Sequence, residues 1–228
     1  MQHPVAFFDI DGTVFRSSLL IKLVEALVAA GVYPQEAATA CLPSYTAWQN
    51  REGSYEAYID AVIQNFLTHL QGVSYGDLVD VGYELIDNES KHVYRYTRDL
   101  IATLRAEGYY LVAISQSPKL ILDPFCHQYG FDKVYGRLYE LGPTDKFTGR
   151  IEDEHLIQNK ATIVQRVLLD ETLTKYNSVA VGDTDGDISM LELVDRAICF
   201  NPNQKLYQYA QSQTWEVVVE RKDVVYHL

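Results

Sequence analysis

Apolar residues fall along this chain with more than one period, and the changes of period divide it. Val5 to Phe8 is a short continuous apolar run, which predicts a strand over 4–9. From about 18 to 107 the pattern is mainly that of amphipathic helices, as in Leu19 to Ala30, where Lys22 and Glu25 interrupt the apolar positions. Breaks are expected near Gly31, Pro43, Gly53, Gly72 and Gly76. Beyond Tyr109, strand-like and helix-like segments alternate. They predict strand 110–115, helix 118–129, an extended stretch with a hairpin around Gly142–Thr148, and helix 160–170. Strand 178–182, helix 187–194, strand 197–200, helix 203–212 and strand 215–219 follow. Such alternation predicts an α/β fold, a mostly parallel sheet with helices on both faces, whose ligands bind beyond the carboxyl ends of the strands.

Polar residues stand at several of those strand ends. Phe7-Phe8-Asp9-Ile10-Asp11-Gly12-Thr13 runs an apolar strand into two carboxylates, and the two-residue spacing projects Asp9 and Asp11 to the same side. Adjacent carboxylates repel unless a cation lies between them or one of them holds a proton. The competing reading is an Asp-Gly hairpin turn, against which the helical pattern from Leu19 weighs. At the end of strand 110–115 stands Ser115, followed by Gln116-Ser117-Pro118. Ser117 as N-cap and Pro118 at the first helical position predict a helix start, whose free N–H groups with Ser115 could cradle a phosphate. A serine in that place also serves as a plain cap. Asn159 is placed to cap a helix bearing Ile163, Val164, Val167 and Leu168, and Lys160 beside it reads by itself as a surface lysine. Val179-Ala-Val-Gly182-Asp183-Thr184-Asp185-Gly186-Asp187 is a second apolar strand running into an acidic, glycine-bearing loop.

Composition narrows the function classes. At 228 residues and 47% hydrophobic the chain holds a substantial core, which excludes a disordered protein. A net charge of -12 with no basic cluster disfavours nucleic acid and anionic membranes as partners, and the acidic strand ends predict a bound divalent cation. Cys41, Cys126 and Cys199 lack metal-ligand or disulfide spacing and read as reduced core residues of a cytoplasmic protein. The first residues, Met1-Gln-His-Pro4, lack the pattern of a signal peptide. His69, His92, His127 and His155 show no ligand spacing.

Taken in order, the four segments resemble the motifs of the haloacid dehalogenase superfamily: Asp-x-Asp-Gly-Thr, a strand-end serine, a lysine at a helix start, and Gly-Asp-x-x-x-Asp. The helical stretch after the first motif is similar to the cap of the phosphoserine phosphatase branch. That resemblance implies a Rossmann-like three-layer core of residues 1–14 and 93–228 and an inserted α-helical cap of residues 15–92. It implies a phosphatase acting on a small phosphorylated metabolite, with Asp9 as nucleophile and Asp11 as acid and then base. Mg²⁺ would be held by Asp9, the Asp11 backbone carbonyl and Asp183. Ser115, Gln116 and Lys160 would hold the phosphoryl oxygens, with Gly12, Thr13 and Asp187 in support, Asp187 by holding Lys160. Asp185 has no counterpart and is expected to be a solvated loop residue.

The departures from that branch concern specificity. Ser18 stands where its glutamate reads the substrate amino group, and Val62 where its cap arginine pairs with the substrate carboxylate. Gln116-Ser117 replaces a glycine pair, and Gly186 replaces an asparagine. The chemistry is therefore expected to carry over without the preference for phosphoserine. Tyr55, Tyr58, Val62 and Phe66 form a stripe at helical spacing, expected to be cap core. A halide-displacing dehalogenase would not need Asp11 and Asp183, and a receiver domain would be about half as long and uncapped. A phosphotransferase to an acceptor other than water, and a non-catalytic binding protein on the same fold, remain as alternatives.

Overall fold

The computed structural model describes residues 2–152 and 159–228, so His155 lies outside the described residues. In chain order, β1 (His3–Phe8) precedes helices α1 (Leu19–Ala29), α2 (Glu36–Thr39), α3 (Leu42–Gln49), α4 (Tyr55–Leu70), α5 (Tyr75–Glu89) and α6 (Arg95–Ala106). Then come β2 (Tyr110–Pro118), α7 (Lys119–Gln128), the hairpin strands β3 (Lys133–Leu141) and β4 (Phe147–Glu152), and α8 (Lys160–Val167). β5 (Leu173–Gly182), a 3-10 turn (Asp185–Asp187), α9 (Ile188–Leu191), β6 (Arg196–Phe200), α10 (Gln204–Gln213), β7 (Glu216–Arg221) and β8 (Val224–His227) complete the chain.

Among the described residues, eight strands form one sheet in the order β4-β3-β2-β1-β5-β6-β7-β8. It is parallel from β3 to β7 and antiparallel at both edges. β1 lies between β2 and β5, which is why it carries no polar residue from Val5 to Phe8: both its faces are covered. Ala6 and Phe8 point into one apolar cluster, shared with α1, α4, α5, α6 and α7, while Val5 and Phe7 point into a second, shared with α8, α9 and α10. These are the three layers of the expected Rossmann-like fold. Phe15 pairs with Val93 across the neck of the helical insert, and Arg16 and Tyr94 donate backbone hydrogen bonds to His92 and Val14.

Several elements differ from expectation for local reasons. β2 runs on to Pro118, which pairs with Arg137, so Ser117 is a strand residue and α7 begins at Lys119 with Pro118 as its N-cap. Gly76 does not break the chain; it lies in the first turn of α5, which Ser74 caps by accepting from the Asp77 N–H. Pro43 sits in the first helical turn of α3, where a missing N–H costs nothing. β8 was not expected; it pairs back on β7 through the positive-φ Lys222. No helix among the described residues is long and apolar enough to cross a membrane.

Candidate active site

β1, β2 and β5 deliver their carboxyl ends side by side, and every strand-end residue singled out in the sequence lies there. Asp9 follows β1 directly, and its N–H donates to the Val181 carbonyl of the neighbouring strand. Burial is nearly complete for its side chain, and Oδ1 accepts from the Lys160 ammonium at 2.6 Å. Oδ2 is buried without any hydrogen-bond partner. A buried anionic oxygen left unpaired is costly, which marks a place where something else must bind.

Lys160 is held from the other side by Asp187 Oδ1 at 2.5 Å. Its position follows from Asn159, whose side chain accepts from the Thr162 N–H and starts α8 at that point, as expected. Both Asp187 oxygens are committed, since Oδ2 accepts from the Asp183 and Thr184 N–H groups at 3.1 and 3.0 Å. Gly182 permits this approach, because a Cβ there would lie 2.5 Å from Asp187 Cβ. Asp183 Oδ1 accepts from the Thr13 hydroxyl at 3.3 Å. Gly12, at φ +83°, lies so close to Asp183 that a Cβ would come within 2.2 Å of Oδ2. The glycine therefore serves both a left-handed turn and a contact between the two acidic loops.

Electrostatics here are dominated by too many buried acids for one lysine. Burial, then the Asp187 and Asp11 charges, push the Asp9 carboxyl up to about 7 despite Lys160. Burial and the Asp9 and Asp187 charges likewise raise Asp183 well above the usual carboxylate range. For Lys160, burial works against the charge, but Asp187 and Asp9 outweigh it and hold the ammonium above its ordinary range. Asp9, Asp183 and Asp187 each offer an oxygen within 4.8 Å of the others. With Asp187 spent on Lys160 and backbone, Asp9 and Asp183 are the acids left to hold a cation. The orphaned Asp9 Oδ2 and the raised pKa values fit a hard, oxygen-seeking divalent ion.

Asp11 is half-buried and accepts three hydrogen bonds. Leu19 N–H, at the start of α1, donates to Oδ1 at 2.6 Å, and the Ser115 and Ser117 hydroxyls donate to Oδ2 at 2.5 and 2.8 Å. Ser115 is fully buried and accepts in turn from the Ser117 N–H at 2.9 Å. The expectation that Ser117 caps a helix is thus corrected: its hydroxyl is drawn to Asp11 instead. Gln116 projects its side chain away to Arg137, whose guanidinium donates to Oε1 at 2.7 Å. Asp185, expected to be solvated, is held by Asn203 at 2.7 Å and Lys205 at 3.1 Å, and Lys205 reaches on to Glu56 of α4 at 3.6 Å.

Two tyrosines that the sequence reading did not single out for the site feel the charge of this cluster. Tyr55 keeps just over a third of its surface exposed, yet burial of its hydroxyl end and then the Asp11 and Asp183 charges raise its pKa. Burial and then Asp183 act in the same direction on Tyr94, whose ring also lies 5.5 Å from the Arg16 guanidinium. Of the expected stripe, Tyr58, Val62 and Phe66 are core, whereas Tyr55 stands at the rim.

The haloacid dehalogenase-like hydrolase profile matches residues 6–192, and the chain belongs to that family. Its relatives and structural neighbours include proteins named phosphoserine phosphatase. Phosphoserine phosphatase SerB1 of Mycobacterium tuberculosis is 26% identical over 216 residues, 93% of this chain and 69% of that protein. Histidinol-phosphatase of Neisseria meningitidis is 26% identical over 220 residues, 94% of this chain and 97% of that one. Among solved structures, a Bordetella pertussis protein of unknown function superposes with a TM-score of 0.75 at 20% identity, covering 95% of this chain and 98% of its own. A phospho-aspartyl intermediate analogue of phosphoserine phosphatase does so at 0.64 and 17%, covering 98% and 96%, a likeness of fold.

Proposed function

We propose that this chain is a Mg²⁺-dependent phosphomonoester hydrolase that works through an aspartyl-phosphate on Asp9 and acts on a small phosphorylated metabolite. The observation that carries this reading is the unpartnered Asp9 Oδ2, a buried carboxylate oxygen beside a lysine and on the same side as Asp11. Asp9, the Asp11 backbone carbonyl and Asp183 would hold Mg²⁺, which supplies charge neutralisation for the phosphoryl group.

One Asp9 carboxylate oxygen attacks phosphorus while the other is left for the cation; a bond forms from that oxygen to phosphorus, and the bond from phosphorus to the leaving oxygen breaks. Asp11 gives that oxygen its proton, then takes one from the water that attacks the phosphoryl group, releasing inorganic phosphate and restoring Asp9. Lys160 keeps Asp9 oriented and meets the phosphoryl charge, while Asp187 fixes Lys160. Ser115 donates to Asp11 in this state, so it must turn from Asp11 to a phosphoryl oxygen when substrate arrives. Backbone N–H groups beside Gln116 would assist, since its side chain is occupied by Arg137.

Residues 15–92 are proposed as the cap. Phosphoserine and histidinol phosphate, the compounds for which the relatives are named, are the kind of substrate this site accommodates. Ser18 and Val62 are buried at 5% and 3% exposure and offer no charge to an amino acid, which disfavours phosphoserine itself. The three cysteines are free thiols, which supports the proposed cytoplasmic setting. The test is phosphate release from a panel of small phosphomonoesters with and without Mg²⁺. Activity lost on chelation and in Asp9→Asn is expected; activity surviving both would sink the mechanism.

A further inference from the structure

We propose that Tyr55 is the specificity-determining surface for the leaving group and that it selects phosphomonoesters whose alcohol carries a planar aromatic or heteroaromatic ring. The proposal rests on the phosphatase reading above and adds the class of substrate. Tyr55 is the first residue of α4, and Glu56 beside it reaches Lys205, which is paired with Asp185 in the same loop as Asp183. This end of α4 is therefore held against the rim of the acidic site. Tyr55 at this end of the helix keeps just over a third of its surface exposed, and after burial the Asp11 and Asp183 charges act on it.

The ring is not free to drift. Trp48 lies 5.1 Å away at 57° and Tyr58 6.1 Å away at 66°, and those two stack on each other at 5.9 Å and 9°. An aromatic face fixed in advance by other rings binds a flat partner with little loss of side-chain entropy. Nothing charged replaces it as a reader at the expected positions, because Ser18 begins α1 from a buried site and Val62 lies in the α4 core. On this reading, the surface that Tyr55 offers to the leaving group is aromatic.

2-Phenylethyl phosphate and ethyl phosphate test this, since their alkoxides are similar in basicity and only the ring differs. The wild-type protein with Mg²⁺ should show the lower KM for the phenylethyl ester. In Tyr55→Ala the ratio of kcat/KM for the phenylethyl over the ethyl ester should fall roughly 3- to 10-fold, the range for one aromatic contact, and Tyr55→Phe should restore it. Equal KM values for the two esters in the wild type, or a ratio unchanged in Tyr55→Ala, would overturn the proposal while leaving the phosphatase reading intact. Hydrolysis of neither ester would instead refute both. Thermal melts of the variants confirm folding, since Tyr55 is partly exposed and its removal opens no sealed cavity.

Discussion

Replacing Asp183 by Asn should make the metal-free protein more stable while removing its response to Mg²⁺. Asp9 is buried and Asp183 half-buried, with oxygens within 4.8 Å, and Lys160 is the cation set against them. Two unit charges at that distance repel by about 3 kcal/mol at an effective dielectric near 20. The amide keeps an oxygen for the Thr13 hydroxyl and removes the repulsion. For a chain of this size the gain corresponds to roughly 6–12 °C in Tm. The pH dependence has a definite sign. An acid whose folded pKa is raised contributes stability that is fully present below its unfolded value of 3.8 and is lost as pH rises toward its folded value, for Asp9 about 7. The metal-free wild type should therefore lose stability between about pH 4 and 7, and the variant should lose less. Mg²⁺ at a hundredfold excess over its Kd should restore about 2.7 kcal/mol to the wild type and almost nothing to the variant. Differential scanning fluorimetry at pH 5 and 7.5, with EDTA or with Mg²⁺, reads all four values. A variant no more stable than wild type at pH 7.5 without metal, with an unchanged Mg²⁺ shift, would refute this account of the acidic cluster.

Two further substitutions probe neighbouring groups. Asp11→Asn should slow an alkyl phosphate by about 10² to 10⁴ and an activated aryl phosphate less, with phosphoenzyme accumulating on acid quench; unchanged rates with nothing trapped would remove Asp11 from the mechanism. Gly12→Ala forces a methyl group into Asp183 at a left-handed backbone position, so it should cost about 1–3 kcal/mol in denaturant melts and weaken Mg²⁺ stabilisation, and a neutral effect would show that the two loops are less tightly joined than described.

What could be read from the sequence was whatever depends on strand ends. Asp9, Asp11, Ser115 and Asp183 follow apolar runs, and once those runs form one parallel sheet the residues must meet at one edge. Lys160 was legible through Asn159, because a capping residue fixes where a helix begins. Ser117 was misread for the same kind of reason: Ser-Pro is strong local helix-start chemistry, but Asp11, more than a hundred residues earlier, competes for its hydroxyl. Asp185 and Lys205 are 20 residues apart with no pattern linking them, so their pairing shows only in three dimensions. A 3.6-residue period brings Tyr55, Tyr58, Val62 and Phe66 to one face but does not say that the face ends at Tyr55 and opens onto the site.

The single apolar cluster that joins the helical insert to the sheet limits how a substrate gets in. Leu19, Leu20, Leu23, Val24, Leu27 and Val28 of α1 are each worth about 1.5–3 kcal/mol buried, but α1 packs chiefly on α2, α4 and α5 of the same stretch, so that packing travels with residues 15–92. What a movement of residues 15–92 as one body must break is the packing of α5 on α7 and of α4 on β4. α3 buries no residue fully, and the first turn of α4 is tied down by exposed ion pairs worth about 1 kcal/mol or less. A smaller opening breaks less: α3 and the start of α4 lift together, carrying the Trp48, Tyr55 and Tyr58 rings as a unit, and α1 stays seated. Hydrogen exchange would show this as fast opening at 42–58 with 19–28 protected, and its rate should rise with salt as the Glu56–Lys205 pair is screened.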